Sequence, residues 1–294
     1  MRLEEAVAAF AVHLQANGKS PRTIDGYRRD LLLLVAFAGD AEIATLTPDL
    51  LARFVISDPV RLCRDGSPKA VVTINRVKAA LKSFGGFLVG TSLLLANPAR
   101  TIEIRRADRH SPSSFTEAER KRLLREVAAH KGSAAARDLV ILEVFLGTGL
   151  RLAELIALDI ADLDLDGKRI TIHAKGGRME TRFLNSDLRM MLRKYLRRRI
   201  EADAQTPALF LSNRDERLSA RQLQARFDQW LSWAGITRPD LTLHSLRHTF
   251  ASRLYRKTHD LVLVGKAMGH RTVEATKVYV HEDVAALEEA LESL

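Results

Sequence analysis

The sequence predicts a mainly α-helical chain with one small antiparallel β-sheet, divided into an all-α N-terminal domain and an α+β C-terminal domain. Three observations carry this reading. Helix start signals recur through the first hundred residues. Residues 101–114, TIEIRRADRHSPSS, are charged and then Ser/Pro-rich, as interdomain linkers are. Only between these helices and the C-terminus, in DLDLDGKRITIHAKGGRMETRFL, does the hydrophobic spacing change from helical to alternating.

The N-terminal domain is expected to span residues 1–100. A first helix covers about 3–16. Ser20-Pro21 opens a second that stops near Gly39, with Ser suited to the cap and Pro to the first turn. Thr47-Pro48 repeats the signal for LLARFVIS, and Ser67-Pro68 repeats it for a long helix through VTINRVKAALKSFGGFLVG. The second domain, 115–294, starts with a capping box, Thr116 with Glu119. The helix RLAELIAL leads into three short strands, with Ile170 and Ile172 alternating with polar neighbours and turn signals at Asp166-Gly167 and Gly176-Gly177. Helical periodicity returns from Asp187 to the end. Within it the run RMMLRKYLRRR, residues 189–199, has Met190, Leu192 and Leu196 as its expected buried side. The tail, 283–294, is amphipathic, with Val284, Leu287, Leu291 and Leu294 on one stripe.

The 294 residues include 46 Lys plus Arg against 36 Asp plus Glu, a net charge of +10. Residues 1–110 hold 16 basic and 11 acidic residues and residues 111–294 hold 30 and 25, so each part nets +5. A surplus shared this way suits a polyanion gripped from two sides better than a basic tail does. Cys63 is the single cysteine, which excludes an intrachain disulfide and cysteine-rich zinc modules and fits a reducing cytosol. The N-terminus MRLEEAVAAF lacks the layout of a signal peptide. The longest uncharged stretch, Ser83 to Ala99, is too short and polar for a membrane span, which needs roughly 20 apolar residues.

The candidate chemistry lies in Arg151, Lys175, His244, Arg247 and His270, followed nine positions later by Tyr279. Cationic groups bind and polarise a phosphate, and a phenol attacks it. His244 and Arg247 share one helix face, while Leu246, Phe250 and Leu254 anchor the other. Gly147 and Gly149 are expected to break the preceding helix. Arg151 then opens a new one, where free N–H groups favour an anion, and Glu154 can hold its guanidinium. Lys175 sits at a glycine-rich hairpin tip and could donate a proton to a leaving oxygen. Gly269 ends a helix and His270 follows it. Tyr195 and Tyr255 are the competing phenols, and Tyr255 reads as a packing residue. Taken singly, each motif also fits a bland role: a surface ion pair, a solvated turn lysine, a polar helix face. His244 and His248 at fourfold spacing raise a metal reading, but the Glu of HExxH is missing and Arg247 would repel a cation. No metal and no cofactor is expected.

GTGLRLAEL, HAKGGR, LTLHSLRHTFAS, MGH and KVYVH, in this order, resemble the motifs of the tyrosine recombinase (phage integrase) family, most like its Xer-type members. SPRTIDGYRRDL resembles that family's helical, SAM-like core-binding domain, so the resemblance covers nearly the whole chain. It implies a site-specific recombinase acting on double-stranded DNA. Arg151 and Arg247 would bind the scissile phosphate, Lys175 would protonate the leaving 5′ oxygen, His244 would serve as acid/base, and His270 would hydrogen-bond the phosphate. Tyr279 would form the 3′-phosphotyrosine link, with Glu154 behind Arg151. Further DNA contacts are expected from Ser20, Arg22, Thr23, a tyrosine at position 26, Arg76, Lys78, Lys82, Arg178 and His248. The resemblance also implies a homo- or hetero-tetramer on two duplexes, docked through the tail, in the cytoplasm and apart from any membrane. Two alternatives stay open: a type IB topoisomerase-like enzyme that relaxes DNA without partner exchange, and a non-catalytic DNA-binding protein on the same scaffold. Departures from the pattern are Met268 in place of a common Leu, Gly265 inside a helix, and an extra glycine at the hairpin tip.

Overall fold

The computed structural model describes residues 1–39, 41–105, 113–132, 134–174, 177–201, 205–269 and 276. The chain forms two compact units, Met1–Arg109 and His110–Leu294.

The first unit is helical: α1 (Leu3–Ala16), α2 (Pro21–Ala38), α3 (Pro48–Ile56), the single turn α4 (Asp58–Arg61) and α5 (Val71–Gly90). Two of the three expected Ser/Thr-Pro starts are true caps. Ser20 Oγ accepts from the Thr23 amide at 3.3 Å, and Thr47 Oγ1 accepts from the Leu50 amide at 3.2 Å. The third is corrected. Ser67 donates its hydroxyl to Asp65 at 2.6 Å and Pro68 pairs with Leu62 in a β-bridge, so α5 begins only at Val71, capped at Ala70. The core of this unit joins Phe10, Leu31, Leu34, Phe54, Leu81 and Phe84.

The second unit begins with α6 (Glu117–Ala129), closed by the expected capping box: the Thr116 amide donates to Glu119 at 2.9 Å and Thr116 Oγ1 accepts from the Glu119 amide at 3.2 Å. There follow α7 (Ala135–Thr148), α8 (Leu152–Ala157), β1 (Leu163–Asp164), β2 (Arg169–Ala174), β3 (Arg178–Phe183), α9 (Ser186–Glu201), α10 (Ala220–Trp233), α11 (Leu243–Thr258) and α12 (Leu261–Met268). The strands form an antiparallel sheet in the order β1-β2-β3. Ile170 and Ile172 point into a core shared with Phe115, Phe145, Phe210, Phe227 and Trp230. Asp138, fully buried on α7, accepts from Arg137, Arg226 and, at 3.1 Å, the Trp230 indole, and so ties α7 to α10.

Two local expectations are corrected. Gly147 does not break α7 but lies within it, where its missing Cβ admits Leu188 Cδ2. Only Gly149, left-handed at φ +62, ends the helix. On α9 the buried side is Leu188 and Leu192, while Met190 is exposed. Leu192 and Leu196 face the core as expected, but Met190, two residues from Leu188 and Leu192, lies about 200° round the helix and so faces outward, while Met191 packs inward. Among the described residues no helix is long and apolar enough to cross a membrane.

Candidate active site

Arg247 is the best-defined element of the site. The sequence pattern placed it on an exposed helix face, but it is 2% exposed. Its guanidinium reaches across to two backbone carbonyls: Nη1 donates to Gly149 O, and Nη2 donates to Met268 O at 2.6 Å. Gly149 caps the end of α7 and Met268 is the last residue of α12, so both carbonyls are helix-terminal acceptors at negative dipole ends. That arrangement lets a guanidinium be buried by capping two helices at once. Neither carbonyl carries a formal charge, so these two bonds orient the guanidinium without adding a counter-charge of their own.

Gly149 is required twice over. Its backbone is left-handed, and a Cβ there would lie 2.9 Å from Phe250 Cε1 and 3.1 Å from Met268 Sδ. The α7 end, α11 and α12 therefore meet around this one residue. Two positions on, Arg151 is the N-cap of α8, as expected, and Glu154 holds it by both ends. The Arg151 amide donates to Glu154 Oε2 at 2.8 Å and its Nη1 donates to Oε1 at 2.5 Å. Burial alone would raise the Glu154 carboxyl. The Arg151 amide and guanidinium, with the charge of Arg247, outweigh it and hold the group below its usual range.

His244 projects from the first turn of α11, its ring 4.4 Å from that of His248 in a T-shaped contact. Desolvation, then the charges of Arg247 and Arg151, lower its pKa. Those same two cations act on Glu154, so Arg151, Glu154, His244 and Arg247 form one electrostatic group. Lys175, His270 and Tyr279 lie outside the described residues, as does the tail 283–294. The structure does describe what flanks them. Ala174 and Arg178 are the last paired residues of β2 and β3, and Gly269, left-handed at φ +63, caps α12. Thr276 is fully buried, and its hydroxyl lies 3.1 Å from where a Cβ of Gly265 would stand, so that glycine makes room for the chain that follows.

The other phenols are occupied. Tyr195 is half-buried, donates to Leu209 O at 3.1 Å and has its pKa pushed up to about 12 by desolvation. Tyr255 packs with Phe250, Leu254 and Met268, as read from the sequence.

The tyrosine expected to contact DNA at position 26 is corrected. Residue 26 is Gly26, inside α2, which has no side chain to extend toward a duplex. The phenol of this stretch belongs to the next residue, Tyr27. One residue turns the direction of a helical side chain by about 100°. The Tyr27 ring lies on the core side of α2, half-buried and stacked on Phe10 with centroids 6.5 Å apart.

Several other expected DNA contacts have partners within the chain. Arg76 forms a two-point pair with buried Asp30 at 2.8 and 2.7 Å. Lys78 donates to Glu103 O at 2.8 Å, and Lys82 to Arg100 O and Ile102 O at 3.0 and 2.8 Å. The Ser20 and Thr23 hydroxyls bond each other at 2.8 Å, whereas Arg22 and Arg178 are exposed. Among the described residues no three His, Cys, Asp or Glu side chains gather as a metal site. Sequence reasoning missed the carbonyl socket of Arg247, which has no side-chain signature. It also missed Glu180 and Arg182 on β3, whose signal was a strand with charges at alternate positions.

Comparison with known proteins identifies the family. The phage integrase family matches residues 113–285, and the phage integrase N-terminal SAM-like domain matches residues 7–91. A Salmonella typhi protein named tyrosine recombinase XerC is 33% identical over 264 residues, covering 90% of this chain and 86% of its own. One from Herpetosiphon aurantiacus is 31% identical over 287 residues, covering 95% and 90%. The solved structure of XerH recombinase bound to palindromic difH substrate, a post-cleavage complex, superposes with a TM-score of 0.78 at 23% identity, over 94% of this chain and 81% of that one. The Tn1549 transposon integrase in complex with transposon right end DNA gives 0.76 at 18% identity, over 99% and 100%. On the two matched domains and the identity to the XerC proteins, the chain belongs to the phage integrase family of tyrosine recombinases.

Proposed function

We propose that this recombinase cleaves one strand of a specific DNA site by attack of the Tyr279 phenol on phosphorus, forming a 3′-phosphotyrosine bond and releasing a 5′ hydroxyl. Arg247 and Arg151 hold the phosphate oxygens and offset the charge that grows on them. Lys175 gives its proton to the departing 5′ oxygen. His244 takes the phenol proton, and His270 hydrogen-bonds the phosphate. Attack by the 5′ hydroxyl of a second strand reverses the chemistry and joins DNA in a new arrangement. The covalent link conserves the bond energy, so neither ATP nor metal enters.

The observation that carries this reading is the seating of Arg247 on Gly149 O and Met268 O, a buried and directed cation beside Arg151 and His244. Such preorganised charge stabilises an oxyanion without reorganisation during reaction. The lowered pKa of His244 favours the neutral imidazole that can accept a proton near pH 7. The three described tyrosines are packed or hydrogen-bonded, which supports Tyr279 as nucleophile. Assembly as a tetramer on two duplexes through residues 283–294, and action in the cytoplasm, belong to the same proposal.

The test is covalent trapping. Nicked suicide duplexes drawn from the DNA flanking the chain's own gene are incubated with protein and EDTA, then run on a denaturing gel. An adduct in the wild type and none in Tyr279→Phe is the expected result. An adduct that survives Tyr279→Phe, or specific binding with no adduct, would overturn the reading.

A further inference from the structure

β3 is built inside out. Its inward positions are Glu180 and Arg182, with Arg182 4% exposed, while Met179 and Phe183 point outward at 69% and 77% exposure. The register sets Glu180 opposite Ile172 and Arg182 opposite Ile170 on the sheet's buried face. A one-residue slip would bury Met179, Thr181 and Phe183 instead. Hydrophobic burial therefore does not explain this register.

The two charges pair with each other. Arg182 Nη2 donates to Glu180 Oε2 at 2.7 Å, and Nη1 donates to Thr181 O at 3.3 Å. Arg182 Nε is buried and has no hydrogen-bond partner among the described residues. A buried ion pair with one donor unmet is a poor stabiliser, and apolar side chains of similar volume often serve as well or better.

What the pair touches is informative. A Cβ on Gly269 would fall within contact distance of the Glu180 carboxylate and 2.5 Å from Arg182 Nη2. The pair thus presses against the α-carbon of Gly269, the residue before His270. The preceding carbonyl, Met268 O, is the one that Arg247 grips. At its other end β3 leads back to the hairpin tip that carries Lys175. One strand links the hairpin to the turn, and the turn links to the buried arginine.

We propose that Glu180 and Arg182 act as a positioning pair, fixing the Met268-Gly269 turn relative to the Lys175 hairpin and the Arg247 cation. This rests on the reading of the site given above. An ion pair suits the task because charge and direction constrain the contact, whereas apolar packing tolerates sliding. The left-handed glycine admits both polar heads at the one point where a side chain would exclude them.

The experiment compares the full-length wild type with Glu180→Leu/Arg182→Met, which keeps volume and removes both charges, and with Arg182→Lys. Each is measured for single-turnover cleavage of the suicide duplex, for affinity for the same duplex, and for Tm. The double variant should cleave about 10–100-fold more slowly, the usual cost of losing an outer positioning contact, with affinity within a few-fold and an undiminished Tm. Arg182→Lys should recover part of the rate. Wild-type cleavage by the double variant would overturn the positioning role alone. Rate, affinity and Tm falling in parallel would assign the pair to stability and overturn it too. A wild type that forms no adduct on a duplex it binds would sink the underlying site reading instead.

Discussion

In the first unit the basic side chains on α5 are engaged by a carboxylate or by carbonyls of the following chain, whereas beside Gly149 the buried Arg247 is seated on carbonyls that end two helices. Arg76 shares two hydrogen bonds with the Asp30 carboxylate, which is buried, so its charge is largely cancelled where it sits. Lys78 and Lys82 fasten the chain at residues 100–103 through its carbonyls. Arg247 is more deeply buried than any of these, yet the two carbonyls that seat it are uncharged. The difference teaches that counting cations says little about where a polyanion is handled. What distinguishes the two places is burial and direction: Arg76 is half exposed on a carboxylate, and Arg247 is buried and aimed by the carbonyls of two helix ends.

The comparison breaks most visibly at its two arginines. Arg247→Met should cut covalent adduct formation by about 10²–10³-fold or more, as loss of a preorganised oxyanion donor does. Arg76→Met should leave the cleavage rate within a few-fold while lowering stability by roughly 1–2 kcal/mol, since Arg76 is itself half exposed and its pair partly screened. Single-turnover gels and urea melts of both variants decide it, and equal losses of rate would erase the distinction between the units.

Glu154→Gln sharpens the contrast at a smaller scale, because Arg151 is the site cation that a carboxylate does hold. The stability lost should be roughly 1 kcal/mol at neutral pH, given that Arg151 is 44% exposed. The folded carboxyl titrates below the 4.5 of the free group, so its contribution is complete above that pH and disappears as pH falls through the folded value. Wild-type and variant melting temperatures should therefore converge as the pH falls below 4.5 and through the folded carboxyl's range. A gap that persists or widens there would show that the pair acts through packing and not charge.

The smallest effect is expected from Lys82→Met. Affinity for the suicide duplex should change less than about twofold, and the slope of log affinity against log salt should stay the same, because the ammonium is bonded to Arg100 and Ile102 carbonyls. A slope reduced by about one would return Lys82 to the DNA-contacting set.

Much of the fold was legible because local chemistry and tertiary structure agreed. Ser20, Thr47 and Thr116 cap helices as their sequences announce, and the Ile170/Ile172 alternation placed β2 and its buried face. Ser67-Pro68 carried the same signal and failed, because Asp65 offered the serine hydroxyl a nearer acceptor. On α2 an aromatic DNA contact at position 26 failed because the ring stands one residue later, at Tyr27, where the helix turns it onto Phe10. β3 failed for a different reason: its side chains answer to Gly269, 87 residues beyond Arg182 in the chain, and no local pattern reports that. The site divides the same way. The residue types of the constellation and the Arg151–Glu154 grip follow from spacing. The burial of Arg247 does not, since carbonyls at two distant helix ends made it possible.

The socket of Arg247 also bears on how the protein is made. Its two acceptors lie 98 residues before it and 21 after it. A growing chain emerging from the ribosome presents α7, α8 and Arg151 long before Met268 exists. Until α12 has been synthesised and has packed against α11, the guanidinium has only half of its seat. The seat of Arg247 is thus complete only once α12 has emerged, with Tyr279 following within a dozen residues. A product terminated before residue 268 can carry every helix of the first unit and still lack one of the two acceptors that seat Arg247.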